Sequence, residues 1–251
     1  MKAWRGMLVK DFRLTLPLFL GGLVVLTAID LWAALMIDNW TLRIFITLIK
    51  AGLYLIAFFP MYFYVSLRSE GDKMHQWLHT PRPTWQLLLS KLLVGIPLFF
   101  LSLVVSGLYP SWMIFNHFDL FGTTALNPLS LCADIALVLT KTFGTSLVIG
   151  VFVMTVWTAF HWIRSYVGKW AWPIIVLGSL ALLYSFGRFI LTPLAELLMQ
   201  WGPLIQGSAL LQEVLKGKPT IYTGEILTAL LLTLLLFTLS STLLNRLEVR
   251  R

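Results

Sequence analysis

The residues of this 251-residue chain best suited to chemistry are four histidines, one cysteine and a Gly144-Thr145-Ser146 step. His75, His79, His117 and His161 share no ligand spacing, and the topology derived below splits them between two membrane sides, so they build no metal centre. Cys132 stands alone, which excludes an intrachain disulfide and a cysteine-based metal site. Ser146 and His161 have the types of a nucleophile and its base. Their spacing puts Ser146 near mid-membrane and His161 near the cytoplasmic end of one straight helix, too far apart for a hydrogen bond. There is no G-x-x-x-x-G-K-[ST] and no H-E-x-x-H, so neither P-loop ATP hydrolysis nor zinc proteolysis is expected of this chain. A regular Arg series and a T-V-G-Y-G filter are also missing. The reading is of a protein without a catalytic site.

Two charges stand out because their neighbours are apolar. Asp30 lies six residues before the end of one apolar run and Lys50 six residues into the next, counted from Ile44. Each is then about 9 Å below the same membrane face, on antiparallel helices joined by a short turn. Either one unpaired would cost about 2.5–3.5 kcal/mol on an insertion scale, less near the interface. We read Asp30 and Lys50 as a structural ion pair; a polar point on a substrate or ion path is the alternative.

The elements that must position these residues follow from composition. Hydrophobic residues make up 58% of the chain and charged ones 12%, where a soluble domain carries about 25% charged residues. Mean hydropathy is +0.84. The net charge of +8 does not point to nucleic acid, because the basic residues flank apolar runs. Six runs are long enough to cross a bilayer as helices, at about 14–36, 44–67, 87–109, 138–162, 172–191 and 224–244. They are too long, and alternate too little, for strands. The expected fold is an all-α polytopic membrane domain occupying the whole chain.

Loop charges orient it. Lys2, Arg5, Lys10, Arg13, Arg68, Lys73, Arg82, Lys91, Arg164, Lys169, Arg246, Arg250 and Arg251 fall on one side, and only Arg43, Lys50, Lys141, Arg188, Lys216 and Lys218 on the other. The excess places both termini in the cytoplasm. The N-terminal charges precede an apolar run too long for a signal-peptide core, so this reads as a retained first span. Trp40, Tyr109, Trp112, Trp162, Trp170 and Trp172 mark span ends, where interfacial aromatics gather.

Several segments do not span. On a helical wheel of Met1–Arg13, Trp4, Met7, Leu8, Phe12 and Leu14 share one face and Lys2, Lys10 and Arg13 the other. That is an amphipathic interface helix suited to anionic lipid headgroups, or equally a charged topology anchor. Asp11 falls on the apolar side and calls for a basic partner. The cytoplasmic stretch 69–90 opens with Glu70, Asp72 and Lys73. It then brings Met74, Trp77 and Leu78 onto one face of a short helix, stopped by Pro81 and Pro83 around Arg82. Such an exposed apolar patch marks a contact surface, or lies on lipid headgroups. Short helices are expected in the long external segment before the sixth span, where Leu194, Leu197, Leu198, Trp201 and Leu204 share a face. Pro60 and Pro97 sit inside spans two and three and are expected to kink them.

Three of these features carry a resemblance: the lead-in Leu8-Val9-Lys10-Asp11-Phe12-Arg13, the stretch from Glu70 to Lys91 (E-G-D-K-M-H-Q-W-L-H-T-P-R-P-T-W-Q-L-L-L-S-K), and the six-span layout. Together they resemble the ABC-2 type permeases, the membrane subunits of many bacterial ABC exporters. The resemblance covers the layout of the whole chain but only two short stretches of residues. It implies that the loop is a coupling helix docking into a separate ATPase, with Met74, Trp77 and Leu78 as knobs and Glu70, Asp72, Lys73 and Arg82 as the charged rim. The family tends to have a smaller residue where Trp77 stands, so the groove of this partner is expected to differ. ATP and Mg would belong to a cytoplasmic ATPase dimer. A second permease, identical or related, would complete the machine in a bacterial cell membrane. A non-transport scaffold or immunity-type protein and a homo-oligomeric channel are the alternatives.

Overall fold

A computed structural model describes residues 2–71, 83–116, 128–206 and 220–249. The chain divides into two units, Met1–Thr124 and Ala125–Arg251. Among the described residues, five stretches are long and apolar enough to cross a bilayer: Trp4–Met36, Leu42–Gly71, Thr84–Met113, Asp134–Phe189 and Thr223–Leu247.

The first unit contains α1 (Lys2–Met36), α2 (Trp40–Gly71) and α3 (Thr84–Asn116). The turn between α1 and α2 is fixed by two side chains. Asn39 Oδ1 accepts from the Leu42 N–H, a cap on the first turn of α2. Arg43 donates from Nε and Nη2 to the Ile37 carbonyl, which covers an acceptor left over at the end of α1. So short a turn makes the two helices antiparallel neighbours.

No boundary separates the expected interface helix from the first span. α1 runs unbroken through Arg13 and through Pro17, for about 52 Å. Proline removes one backbone hydrogen bond, and here that alone does not end the helix. The inward stripe of α1 is Asp11, Thr15, Phe19, Leu26 and Ala33, all buried and spaced by fours and sevens. Trp4 and Leu8 lie seven residues before Asp11 and Thr15, so they continue this stripe and are half-buried, while Phe12 and Leu14 at its edges are exposed.

α2 and α3 supply an aromatic core. Ala51, Leu55, Phe58, Phe59, Tyr62, Phe63 and Leu67 form the buried stripe of α2. Phe99 of α3 stacks on Phe59 at 5.4 Å between ring centres and meets Phe58 edge-on at 5.7 Å. Two glycines permit this. A Cβ on Gly95 would lie 3.0 Å from the Phe59 and Tyr62 rings, and one on Gly22 would lie 2.7 Å from the Tyr54 hydroxyl. α2 and α3 also continue through Pro60, Pro97 and Pro110, so α3 outlasts its apolar run by most of two turns.

The second unit contains α4 (Pro128–Val167), a 3-10 turn at Gly168–Trp170, α5 (Ala171–Ile190), α6 (Pro193–Met199), β1 (Pro203–Gln206), β2 (Thr220–Tyr222) and α7 (Thr223–Val249). The long apolar stretch Asp134–Phe189 is divided at that turn by Gly168, whose φ of 63° suits glycine. α4 and α7 share the core: Val151, Met154, Thr158, Ser240 and Leu244 are all buried. α5 leaves Leu177, Leu182, Leu183 and Tyr184 exposed, far more apolar surface than water tolerates on a monomer.

The segment before α7 differs from the expected short helices. α6 is one such helix, capped by Thr192, whose Oγ1 accepts from the Ala195 N–H. Beyond it a two-stranded antiparallel ladder pairs Ile205 with Ile221 and Gln206 with Thr220. The cause is local. Gly202 takes φ 67° and Pro203 cannot continue a helix, while the β-branched Thr220 and Ile221 favour the extended partner. Leu197, Leu198, Trp201 and Leu204 are exposed.

Candidate functional site

The most distinctive chemistry in the described residues is a cluster of charges buried between α1, α2 and α3. Lys91, in the second turn of α3, is 0% exposed. Its Nζ donates to Ser66 Oγ of α2 at 2.8 Å and to Asp11 Oδ1 of α1 at 3.4 Å. Glu70 Oε2, at the end of α2, is 3.1 Å from the same nitrogen. That contact is an ion pair off the direction a hydrogen bond needs, since Oε2 has no hydrogen-bond donor.

Each carboxylate has a second partner. Ser90 Oγ donates to Asp11 Oδ2 at 2.6 Å. Lys10 Nζ donates to Glu70 Oε1 at 2.8 Å, from a side chain that stays 52% exposed. Tyr62 OH donates to the Lys91 carbonyl at 2.8 Å, fixing the backbone behind the ammonium. Two carboxylates thus face two ammonium groups, one buried and one at the rim.

The helix period explains the assembly. Ser66 and Glu70 are one turn apart on the buried stripe of α2, and Leu87, Ser90 and Lys91 share the inward face of α3. Asp11 is the first buried residue of the α1 stripe. The basic partner that its position on the apolar side called for is Lys91.

A second ion pair lies toward the other end of the same helices. Lys50 Nζ bonds to Asp30 Oδ1 and, at 3.2 Å, to the Leu26 carbonyl. Both side chains are largely buried. At about 1.5 Å per residue, Asp11 and Asp30 are about 28 Å apart along α1, and Lys50 and Glu70 about 30 Å along α2.

The other sequence candidates fall differently. Of the residues assigned to ATPase docking, Asp72, Lys73, Met74, Trp77, Leu78 and Arg82 lie outside the described residues. Glu70 is a correction. It is buried and held by Lys10 and Lys91, an inward anchor and not a rim charge, because it continues the buried stripe of α2. His161 packs on Trp157 at 4.3 Å between ring centres. Among the described residues no group of His, Cys, Asp and Glu is placed to hold a metal ion. Lys141 approaches Glu225 at 3.4 Å, both well exposed.

The partnership of Lys91 with Asp11 and Glu70 is what sequence reasoning missed, having counted Lys91 as a loop charge. The available signal was Ser66 and Glu70 continuing the apolar stripe of α2 inward.

No protein-family model matches the chain, and no solved structure matches it. The uncharacterized protein YhcE of Bacillus subtilis (strain 168) is 27% identical over 203 residues, covering 78% of this chain and 76% of its own.

Proposed function

We propose that this chain is the permease subunit of an ATP-driven ABC transporter, an exporter, coupled to a separate ATPase. It crosses a bacterial cell membrane six times, α4 and α5 counting as two spans, with both termini in the cytoplasm. The orientation follows the basic excess on the loops.

The observation that carries the reading is the way α2 and α3 meet the 72–82 connection. Glu70 precedes that connection and Lys91 follows it, and both are locked to each other and to α1. A connection mounted on so firm a base transmits a push to three helices. The Met74, Trp77 and Leu78 patch supplies apolar knobs for an ATPase groove.

The test is co-purification with an ATPase produced from a neighbouring gene. Trp77→Ala should cut ATPase association or coupling at least tenfold and leave membrane insertion unchanged. Undiminished coupling would remove the docking role, and ion currents without nucleotide would favour a channel.

A further inference from the structure

Lys91 is fully buried, yet it carries a charge shared between carboxylates on two other helices. Stability is a poor reason for such a triad. Burying ions carries a desolvation cost that well-packed neutral side chains avoid, and replacing a whole buried triad is often neutral or stabilising. What ions add is one fixed register, because no other pairing satisfies all of them.

The register here joins places that matter to one another. Glu70 is the penultimate residue of α2 and Lys91 lies in the second turn of α3, so both ends of the 72–82 connection are tied together. α1 grips that base with two successive residues: Lys10 holds one oxygen of Glu70, and Asp11 holds Lys91. Ser66 and Ser90 orient the buried members.

We infer that Lys91 is a positioning residue that locks the base of the α2–α3 connection to α1, so that displacement of the connection moves α1 with it. The source of that displacement, a docked ATPase, rests on the permease reading. The lock itself belongs to residues 2–116.

The test uses the full chain in lipid nanodiscs, with Cys132→Ser as background. Nitroxides on Val9→Cys and Trp85→Cys report the α1–α3 distance, and on Tyr64→Cys and Trp85→Cys the α2–α3 distance; all three positions are exposed. Asp11→Asn leaves Lys91 balanced by Glu70. It should at least double the width of the α1–α3 distance distribution and leave the α2–α3 distribution narrow. The triple variant Asp11→Asn, Glu70→Gln, Lys91→Met removes all three charges together; it should fold like the parent and broaden both distances. Lys91→Arg should keep both narrow. An unbroadened α1–α3 distance in Asp11→Asn, or a triple variant that no longer folds, overturns the inference. Failure of any ATPase to co-purify would sink the permease reading and leave these distances to decide the lock by themselves.

Discussion

The two units hold their helices together by different means. In the first, every helix sends a charge inward: Asp11 and Asp30 from α1, Lys50 and Glu70 from α2, and Lys91 from α3. In the second, buried hydroxyls link the two long helices. Thr155 and Ser240 approach to 2.9 Å, and Thr155 also donates to the Leu236 carbonyl at 3.2 Å. The charged pair described there, Lys141 with Glu225, is exposed. Ions buried away from water accept one pairing and penalise every other. A hydroxyl seam is weaker, and an alternative carbonyl is always one turn away. The expectation is that the first unit holds its register more strictly than the second.

Four substitutions test that contrast. The largest effect is expected from Lys91→Met, which takes the buried ammonium away from two buried carboxylates, leaving Asp11 with only the Ser90 hydroxyl, and should cost about 3–5 kcal/mol. Denaturation in detergent would measure it, and a loss below 1 kcal/mol would end the distinction between the units. Next come Asp30→Asn and Lys50→Met, each expected to cost at most about 2.5–3.5 kcal/mol. The double variant should lose clearly less than the sum of the two, and strict additivity would mean the charges do not act as a pair. The smallest loss belongs to Thr155→Val, about 0.6 kcal/mol, the average for hydrogen bonds between membrane helices. A loss as large as that of Lys91→Met would make the hydroxyl seam as selective as the ions.

Hydropathy located the long helices because an apolar run of about 20 residues has few other structural outcomes. It did not locate their ends. α3 continues through Pro110 to Asn116, and α4 starts at Pro128, well ahead of its apolar run. Helix ends depend on caps and backbone geometry, not on hydrophobicity. The Asp30–Lys50 pairing was legible because two isolated charges at matched depth sit on neighbouring antiparallel helices. The cluster around Lys91 was not, since a Lys near a helix start looks like any flanking charge until three helices are assembled around it. On the wheel of Met1–Arg13 the apolar side is also the side that packs, and the one charge it carries, Asp11, is the residue that Lys91 meets.

The two ionic layers of the first unit have a consequence for the lipid. They lie about 28–30 Å apart along α1 and α2. With the Asp30–Lys50 layer about 9 Å inside one face, the Lys91 layer falls about 7–9 Å beyond the hydrocarbon of an ordinary bilayer about 30 Å thick, among the headgroups. One layer is wetted by the interface and the other is enclosed by acyl chains. A bilayer thickened by about that margin would bring the outer of the two to the acyl boundary.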